Sequence, residues 1–187
     1  MHLITDVFLN TLNNIYALSI EKSTKTPKLI IKLSELMKYL LYETKVKRQS
    51  LEKEIIIIQN YIDMEKIRAG QKLQIDMGIS GEIENKTIAP MLILSFVENA
   101  FKHGVYKNID PVQVKIDFKI EEDFLYFTII NPKPGLTKFS KKERPSGGIG
   151  LKNVKKRLAL GYKKNEYSLD IKDQSDIFMV KLKIKVQ

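Results

Sequence analysis

Hydrophobic residues recur every three or four positions through the first quarter of the chain, which predicts two helices. The first runs from about Leu3 to Lys22, and the residues STKTP interrupt it. The second is predicted to begin at Pro27, with Thr26 as its cap, because proline suits the first turn of a helix. Its hydrophobic positions are Leu29, Ile30, Leu33, Leu36, Met37, Leu40 and Leu41. Such a hairpin has more apolar surface than it can bury internally, so we expect it to pack on a second copy or another domain.

A third helix is predicted between Ser50 and Gly70. Serine is a favoured helix cap, and Glu52 and Glu54 fall in or near the first turn, where negative charge stabilises the helix dipole. Glycine commonly follows the last helical residue, so Gly70 marks the predicted end.

Beyond Gly70 the hydrophobic period changes to two, which predicts strands. KLQIDMGI is the first strand, and Gly78 and Gly81 mark a turn. A helix is predicted to begin at or just after Pro90 and to close at Gly104. VQVKIDFKI and DFLYFTII then form a hairpin through the acidic turn EED. After the long loop NPKPGLTKFSKKERPSGG come the helix GIGLKNVKKRLALGY and two closing strands, YSLDIKD and IFMVKLKIKV.

This order of elements predicts an α+β fold, in which a helical hairpin precedes helices on one face of a mixed sheet. A hydrophobic content of 43% supports a real core. The chain has no cysteine, which excludes disulfides, cysteine-bound zinc and a catalytic thiol. It has no long apolar run and no signal peptide pattern, so we expect a soluble, cytoplasmic domain.

A net charge of +10 leaves two interpretations open. A basic surface can bind phosphate groups in nucleic acid, nucleotides or membranes. A lysine-rich surface can equally be a solvated one. The densest basic stretch lies between Lys141 and Lys164, and no DNA-reading or RNA-reading motif accompanies it. We therefore expect no specific nucleic-acid partner, and nucleic-acid binding through this stretch stays the weaker alternative.

The segment SFVENAFKHG is the first candidate for chemistry. Helical spacing places Asn99, Lys102 and His103 on one side. A carboxamide oxygen beside two basic side chains suits a hydrated Mg²⁺ ion and its phosphate ligands. The alternative is an ordinary amphipathic helix whose polar face contains these residues.

Two further segments suit a nucleotide. Gly147, Gly148 and Gly150 precede a helix, where backbone N–H groups can bind phosphate, although a flexible linker would have the same composition. Asn131 ends a hydrophobic strand, where its amide can offer an acceptor and a donor to an adenine edge.

Together these segments resemble the GHKL (Bergerat) ATP-binding domain, and the whole chain resembles the LytS-type sensor histidine kinases. FVENAFKHG is similar to the family's N box, and GGIGLKNVKKRL to its glycine box. LSELMKYLLYE and LEKEIIIIQNYIDMEKIR are similar to its linking helices. The resemblance divides the chain into a dimerisation and phosphoacceptor-like helical region, 1–49, and an ATP-binding catalytic domain, 50–187.

The resemblance implies a role for each motif residue. Asn99 would ligate Mg²⁺, Lys102 and His103 would approach the phosphates, and the loop from Lys133 to Gly147 would be the ATP lid. Glu98 is a candidate for orienting or deprotonating the nucleophile. Asn131 stands where related domains usually have an aspartate that accepts from the adenine amino group. The full implied nucleotide-contacting set is Asn99, Lys102, His103, Asn131, Gly135, Gly148, Ile149, Gly150 and Leu151.

The opening helix departs from the family. The family's phosphoacceptor helix reads His-Phe-Leu-Phe-Asn-(Ser/Thr)-Leu-Asn, and here Asp6 occupies the histidine position. A carboxylate is a poorer nucleophile than imidazole in this reaction. His2 lies one helical turn earlier and cannot be assumed to substitute.

The resemblance therefore implies a sensor kinase that uses Mg-ATP, forms a homodimer, passes phosphate to a response regulator, and is tethered to a membrane in its full-length form. The alternative is a degenerate kinase that binds ATP as a dimeric signalling module. An altered fragment of a longer protein would also explain Asp6.

Overall fold

The computed structural model describes residues 2–106, 108, 110–133 and 149–187. The helices are α1 (His2–Ile20), α2 (Thr26–Tyr42), α3 (Leu51–Ala69), α4 (Leu92–Ala100) and α5 (Ile149–Gly161). A π-helical segment, Phe101–Val105, continues α4 without a break. The strands are β1 (Gln49–Ser50), β2 (Leu73–Ser80), β3 (Thr87–Ile88), β4 (Val112–Glu121), β5 (Phe124–Pro132), β6 (Tyr167–Asp173) and β7 (Ile177–Lys185).

Five strands form one mixed sheet in the order β2-β4-β5-β7-β6. The β2 and β4 strands are parallel, and the other three pairings are antiparallel. This confirms the predicted α+β class and the β4–β5 hairpin. The short strands β1 and β3 pair separately and were not predicted, because two residues are too few to show a period.

The core lies between one face of this sheet and the helices. Burial alternates strictly along β4 and β5, so each strand buries every second side chain. Phe127 of β5 contacts Phe96 of α4 and Phe118 of β4, with ring centroids 6.2 and 5.1 Å apart. The chain thus has the predicted two layers, with α4 packed directly on the central strands.

Three local predictions need correction. Lys25, not Thr26, is the residue before α2; Thr26 lies inside the helix and its buried hydroxyl has no hydrogen-bond partner. Gly78 lies within β2, opposite Asp117 of β4, and only Gly81 with its positive φ belongs to the turn. The helix predicted to close at Gly104 continues to Val105 because its last turn is π-helical.

The predictions for α3 are confirmed. Ser50 is its cap, and the serine hydroxyl accepts from the Lys53 N–H at 3.4 Å. The helix ends before Gly70, whose φ of 61° is readily adopted by glycine.

The helical hairpin leaves much apolar surface uncovered. Along α1 the exposed large apolar residues are three or four positions apart, which places them on one stripe of the helix. The exposed apolar residues of the hairpin are Leu9, Leu12, Tyr16, Ile20, Ile30, Ile31, Met37, Leu41 and Tyr42. Within the described residues, no helix is both long and apolar enough to span a membrane.

Candidate nucleotide and phosphoacceptor site

The segment that leads into α4 is held by side chains from three directions. The Tyr162 hydroxyl accepts from the Ala89 N–H at 2.8 Å, and Arg157 donates to the Pro90 carbonyl at 3.2 Å. The next N–H, that of Met91, donates to the carboxylate of Glu54 at 3.0 Å. Tyr162 directly follows α5, Arg157 belongs to α5, and Glu54 belongs to α3. Backbone groups of three consecutive residues are therefore fixed by side chains from two other parts of the fold.

Met91 is held in a left-handed conformation, with φ of 59°. Such a conformation is unfavourable for a side chain other than glycine and persists only where neighbours enforce it. The hydrogen bond to Glu54 is one of those restraints. The start of α4, and with it the direction of the whole helix, depends on these contacts.

Glu54 is fully buried, and it connects the hairpin to α4. Its carboxylate accepts a short hydrogen bond from the Tyr39 hydroxyl of α2, on the same oxygen that Met91 uses. Burial raises the pKa of Glu54 above its usual value, and the hydrogen bonds from Tyr39 and Met91 offset part of that effect. The other carboxylate oxygen has no hydrogen-bond partner.

Asn131 lies at the opposite end of the α4–π helix, against Gly104. Its side chain is 1% exposed, and its Nδ2 donates to the Pro132 carbonyl at 3.1 Å. Its Oδ1 is buried without a hydrogen-bond partner. A buried acceptor that lacks a donor costs about 1–3 kcal/mol, which a ligand donor such as an adenine amino group would offset. Asn131 therefore fits its predicted role at an adenine edge.

A cavity of about 260 Å³ lies between α1, α3 and the α4–π helix. Glu98 of α4, Lys102 of the π-helical segment and Tyr106, the residue after that segment, are four residues apart and all line the cavity. Its complete lining is Leu9, Asn10, Tyr61, Glu65, Arg68, Glu98, Lys102 and Tyr106. The cavity thus joins the predicted phosphoacceptor helix to the predicted N box.

The α3 wall of this cavity carries an ionisable cluster. Glu65 is 5% exposed, and burial raises its pKa from 4.5 to about 7, against the opposing effects of Arg68 and of a hydrogen bond from Tyr61. Arg68 Nη2 lies 3.1 Å from Glu65 Oε2, although that oxygen has no hydrogen bond. The Tyr61 hydroxyl has its pKa raised well above 10, first by burial and then by the charges of Glu65 and Glu98.

The structure separates the predicted nucleotide residues into two groups. Glu98 and Lys102 line the cavity, whereas Asn99 is half-buried on the adjoining side of α4. Glu98 and Lys102 are four residues apart, which is the spacing of neighbours on one helix face. His103 is in the π-helical segment, and its side chain lies outside the described residues.

The remaining predicted residues are only partly described. Asp6 lies within α1, but its side chain is outside the described part of the structure. Gly135 and Gly148 also lie outside it. Ile149 and Gly150 begin α5, and Leu151 is buried in that helix.

Asn99 is the residue that would hold a magnesium ion. Among the described residues, no cluster of three or more His, Asp or Glu side chains is arranged to bind a metal. Mg²⁺ commonly takes one or two protein ligands together with water and substrate phosphates. A single half-buried carboxamide on α4 fits this donor set, in which phosphate and water would supply the other oxygens.

The comparisons with known sequences agree with the motifs. A family model described as "Histidine kinase" matches residues 5–73. Sensor protein LytS of Bacillus subtilis (strain 168) is 28% identical over 157 residues, which are 80% of this chain and 26% of that protein. Sensor histidine kinase/phosphatase LytS of Staphylococcus aureus (strain MRSA252) is 31% identical over 97 residues, or 52% of this chain and 17% of that protein. The chain spans about a quarter of the length of the first relatives it matches.

Solved structures share the fold at low sequence identity. The catalytic domain of histidine kinase ThkA superposes with a TM-score of 0.51 and 11% identity, over 74% of this chain and 93% of that one. Acinetobacter baumannii histidine kinase AdeS superposes with a TM-score of 0.50 and 14% sequence identity, over 95% of this chain and 83% of that one. The second superposition includes the helical hairpin as well as the sheet.

Sequence reasoning did not identify Tyr39, Glu54, Glu65 or Arg68 as parts of the site. One signal was available: Glu54 and Glu65 lie within the apolar helix LEKEIIIIQNYIDMEKIR, where charged residues are rarely buried unless they have partners. The partners of Glu54 come from other elements, so that pairing could not be predicted from spacing along the chain. The partners of Glu65, Tyr61 and Arg68, lie four residues before and three residues after it on the same helix, a spacing that the sequence shows.

Proposed function

We propose that the chain is the catalytic region of a two-component sensor kinase, because a histidine kinase family model matches residues 5–73 and the LytS sensor proteins are similar over most of the chain. In this role it binds Mg-ATP, transfers the γ-phosphoryl group to an acceptor on α1, and passes it on to a response regulator. The observation that carries the proposal is the buried, unpartnered Oδ1 of Asn131 beside Gly104. It lies at one end of the same continuous helix that presents Asn99 and Glu98.

The parts of the chain then have distinct tasks. Residues 1–49 form the dimerisation and phosphoacceptor region, and residues 50–187 form the ATP-binding domain. The exposed apolar stripe of the hairpin supports a homodimer, since an exposed face of this kind commonly marks an interface. The chain is the cytoplasmic part of a longer, membrane-tethered sensor, as the short coverage of its relatives supports.

The proposal assigns the nucleotide contacts to the residues of the motifs. Asn131 accepts from the adenine amino group, and Asn99 holds Mg²⁺, which neutralises phosphate charge when bound. Lys102 and His103 contact the phosphates, together with the backbone at Gly148 and Gly150. Glu98 orients the acceptor or takes its proton. The lid from Lys133 to Gly147 lies largely outside the described residues.

A second candidate function is a degenerate kinase that binds ATP and signals through its dimer without phosphorylating itself. The specific observation in its favour is Asp6, which replaces the histidine of the acceptor helix. Both functions require Mg-ATP binding, and only the first requires transfer to α1.

Calorimetric titration with Mg-ATP tests the shared part of the proposal. The native chain is expected to bind, and Asn131→Ala to bind about 10- to 100-fold more weakly, because the adenine donor loses its acceptor. Asn131→Asp keeps an acceptor and is expected to bind much better than Asn131→Ala. Asn165→Ala is the matched control, since Asn165 is an exposed asparagine in the turn before β6.

Asn99→Ala completes the series by removing the proposed Mg²⁺ ligand. It is expected to weaken the Mg²⁺-dependent part of ATP affinity and to leave metal-free nucleotide binding nearly unchanged. The absence of heat from Mg-ATP with the folded native chain would contradict both candidate functions.

A further inference from the structure

The charged residues that line the cavity between α1, α3 and the α4–π helix differ in their exposure to solvent. The carboxylate residues Glu65 and Glu98 are 5% and 6% exposed. The cationic side chains are more exposed: that of Arg68 is 23% exposed, and Lys102 is an exposed residue. The two cations are therefore more accessible to an anion from solvent than the two carboxylates are.

The guanidinium of Arg68 has a fixed place in this wall. Its Cζ lies 3.6 Å from the centroid of the Tyr106 ring, which is the geometry of a cation–π contact. It is also within 3.1 Å of Glu65 Oε2, but that oxygen has no hydrogen bond. The ion pair therefore orients Arg68 without using its N–H groups in a bidentate bridge, the mode in which arginine binds carboxylates and phosphates most strongly.

The cavity lies between the acceptor helix and the predicted nucleotide contacts. Asn10 of α1 lines it, and position 6 is one helical turn earlier on the same face, about 6 Å along the axis. On the other side, Glu98 is in the lining and Asn99 follows it, about 100° around the helix. The cavity thus lies between the helix that carries position 6 and the helix that carries Asn99.

We propose that the cavity receives the phosphoryl group during transfer, and that Arg68 is a catalytic residue whose guanidinium contacts the phosphoryl oxygens. The inference rests on the proposed kinase function. Lys102 supplies the second positive charge from the opposite wall. Tyr106 and Glu65 are positioning residues for Arg68, since they hold its guanidinium without touching the phosphoryl group.

The transfer balances without a further reactant. The bond from the γ-phosphorus to the oxygen bridging to the β-phosphate breaks, and its electron pair leaves with ADP. With histidine at position 6, one imidazole nitrogen forms the new bond to phosphorus, and the proton on the other nitrogen passes to Glu98. Arg68 stabilises the negative charge on the equatorial oxygens and exchanges no proton, because arginine stays protonated in proteins.

Single-turnover transfer of labelled γ-phosphate in an Asp6→His background tests this role. Arg68→Ala is expected to slow transfer by about 10²- to 10³-fold, as loss of one preorganised donor to a developing charge commonly does. The dissociation constant for Mg-ATP should change by less than about threefold, because Arg68 acts on the acceptor side. Arg68→Lys should recover part of the rate, since lysine restores charge without the planar fork.

Lys66→Ala is the matched control, because Lys66 is an exposed cation two residues earlier on the same helix. It should transfer at the parent rate. Equal rates for Lys66→Ala and Arg68→Ala would overturn the inference. So would a parallel loss of ATP affinity and rate in Arg68→Ala, which would place Arg68 in the nucleotide site or in a structural role. A parent variant that takes up no label would instead overturn the proposed function, and this inference with it.

Binding of orthovanadate to the ADP-loaded native chain gives a readout that needs no acceptor chemistry. Vanadate takes the place of the transferred phosphoryl group, so Arg68→Ala is expected to weaken its binding at least about tenfold while ADP affinity is retained. Lys66→Ala should leave both affinities unchanged. Equal vanadate binding by Arg68→Ala and the native chain would contradict the inference.

Discussion

Gly104 and Asn131 are packed so closely that a Cβ atom at position 104 would come within 2.9 Å of Asn131 Cγ. The absence of a side chain at Gly104 therefore allows the buried amide to sit against the α4–π helix. The arrangement couples the last turn of that helix to the proposed adenine contact, although the two residues are separated by β4 and most of β5.

Gly104→Ala is expected to weaken Mg-ATP binding by displacing Asn131. Overpacking of this kind costs about 1–3 kcal/mol of folding free energy, so chemical denaturation should show a loss in that range. Gly161→Ala is the control, since no atom lies within 4 Å of a Cβ added at Gly161. An alanine at position 104 that leaves both nucleotide affinity and stability unchanged would show that this contact is not needed.

Glu54→Ala is expected to reduce the free energy of unfolding by about 3 kcal/mol, because it leaves the Tyr39 hydroxyl and the Met91 N–H without their acceptor. Glu54→Gln keeps an oxygen that can accept from both groups, so we expect it to recover most of that loss. Glu52→Ala, at an exposed position of the same helical turn, should stay within about 0.5 kcal/mol of the native value. Equal denaturation midpoints for Glu54→Ala and Glu52→Ala would refute this role.

The pKa of Glu65 predicts a pH dependence of stability. Its folded-state pKa of about 7 lies above its unfolded value of about 4.5, so folding takes up a proton between these values and stability falls as the pH rises through this window. Arg68, Tyr61 and Glu98 are the charged and titratable groups around it. Between about pH 5 and about pH 7.5, the native chain should lose about 2 kcal/mol more unfolding free energy than Glu65→Gln.

Denaturation curves of the two proteins at both pH values provide this measurement. Glu52→Gln serves as the control, because an exposed carboxylate should leave the pH profile of the native chain unchanged. Parallel pH profiles for the native chain and Glu65→Gln would be the contrary result.

The exposed stripe of the hairpin predicts a dimer that a single charge disrupts. Leu12 is 52% exposed in the single chain, and an aspartate there would be buried without a partner in the interface. Leu12→Asp is expected to sediment as a monomer at concentrations at which the native chain is dimeric. Thr24→Asp adds the same charge in the turn between α1 and α2, and should remain dimeric. A native chain that is itself monomeric would contradict the proposed dimer.

Features set by local pattern were predictable from the sequence. Spacing along the chain alone identified the alternating burial in β4 and β5, the cap of α3 at Ser50 and the end of α3 at Gly70. Each of these features depends on residues that are close in sequence. Asn131 was predicted at its strand end for the same reason.

Features set by tertiary contacts were not predictable. Glu54 was expected only as a first-turn charge, yet its partners come from α2 and α4. The π-helical turn, Phe101–Val105, was also not predicted, because nothing in a 3.6-residue period indicates it. The parallel pairing of β2 with β4 likewise depends on a long connection through α4.

The most direct measurement of the central claim is uptake of labelled γ-phosphate by Asp6→His, with Asn99→Ala added to the same background as the control. The proposed kinase region should become labelled on a histidine when position 6 supplies an imidazole, and the added Asn99→Ala should abolish the label. The native chain measured in parallel distinguishes the working kinase, which takes up label, from the ATP-binding signalling module, which does not. A folded, dimeric Asp6→His protein that takes up no label from Mg-ATP would contradict the account.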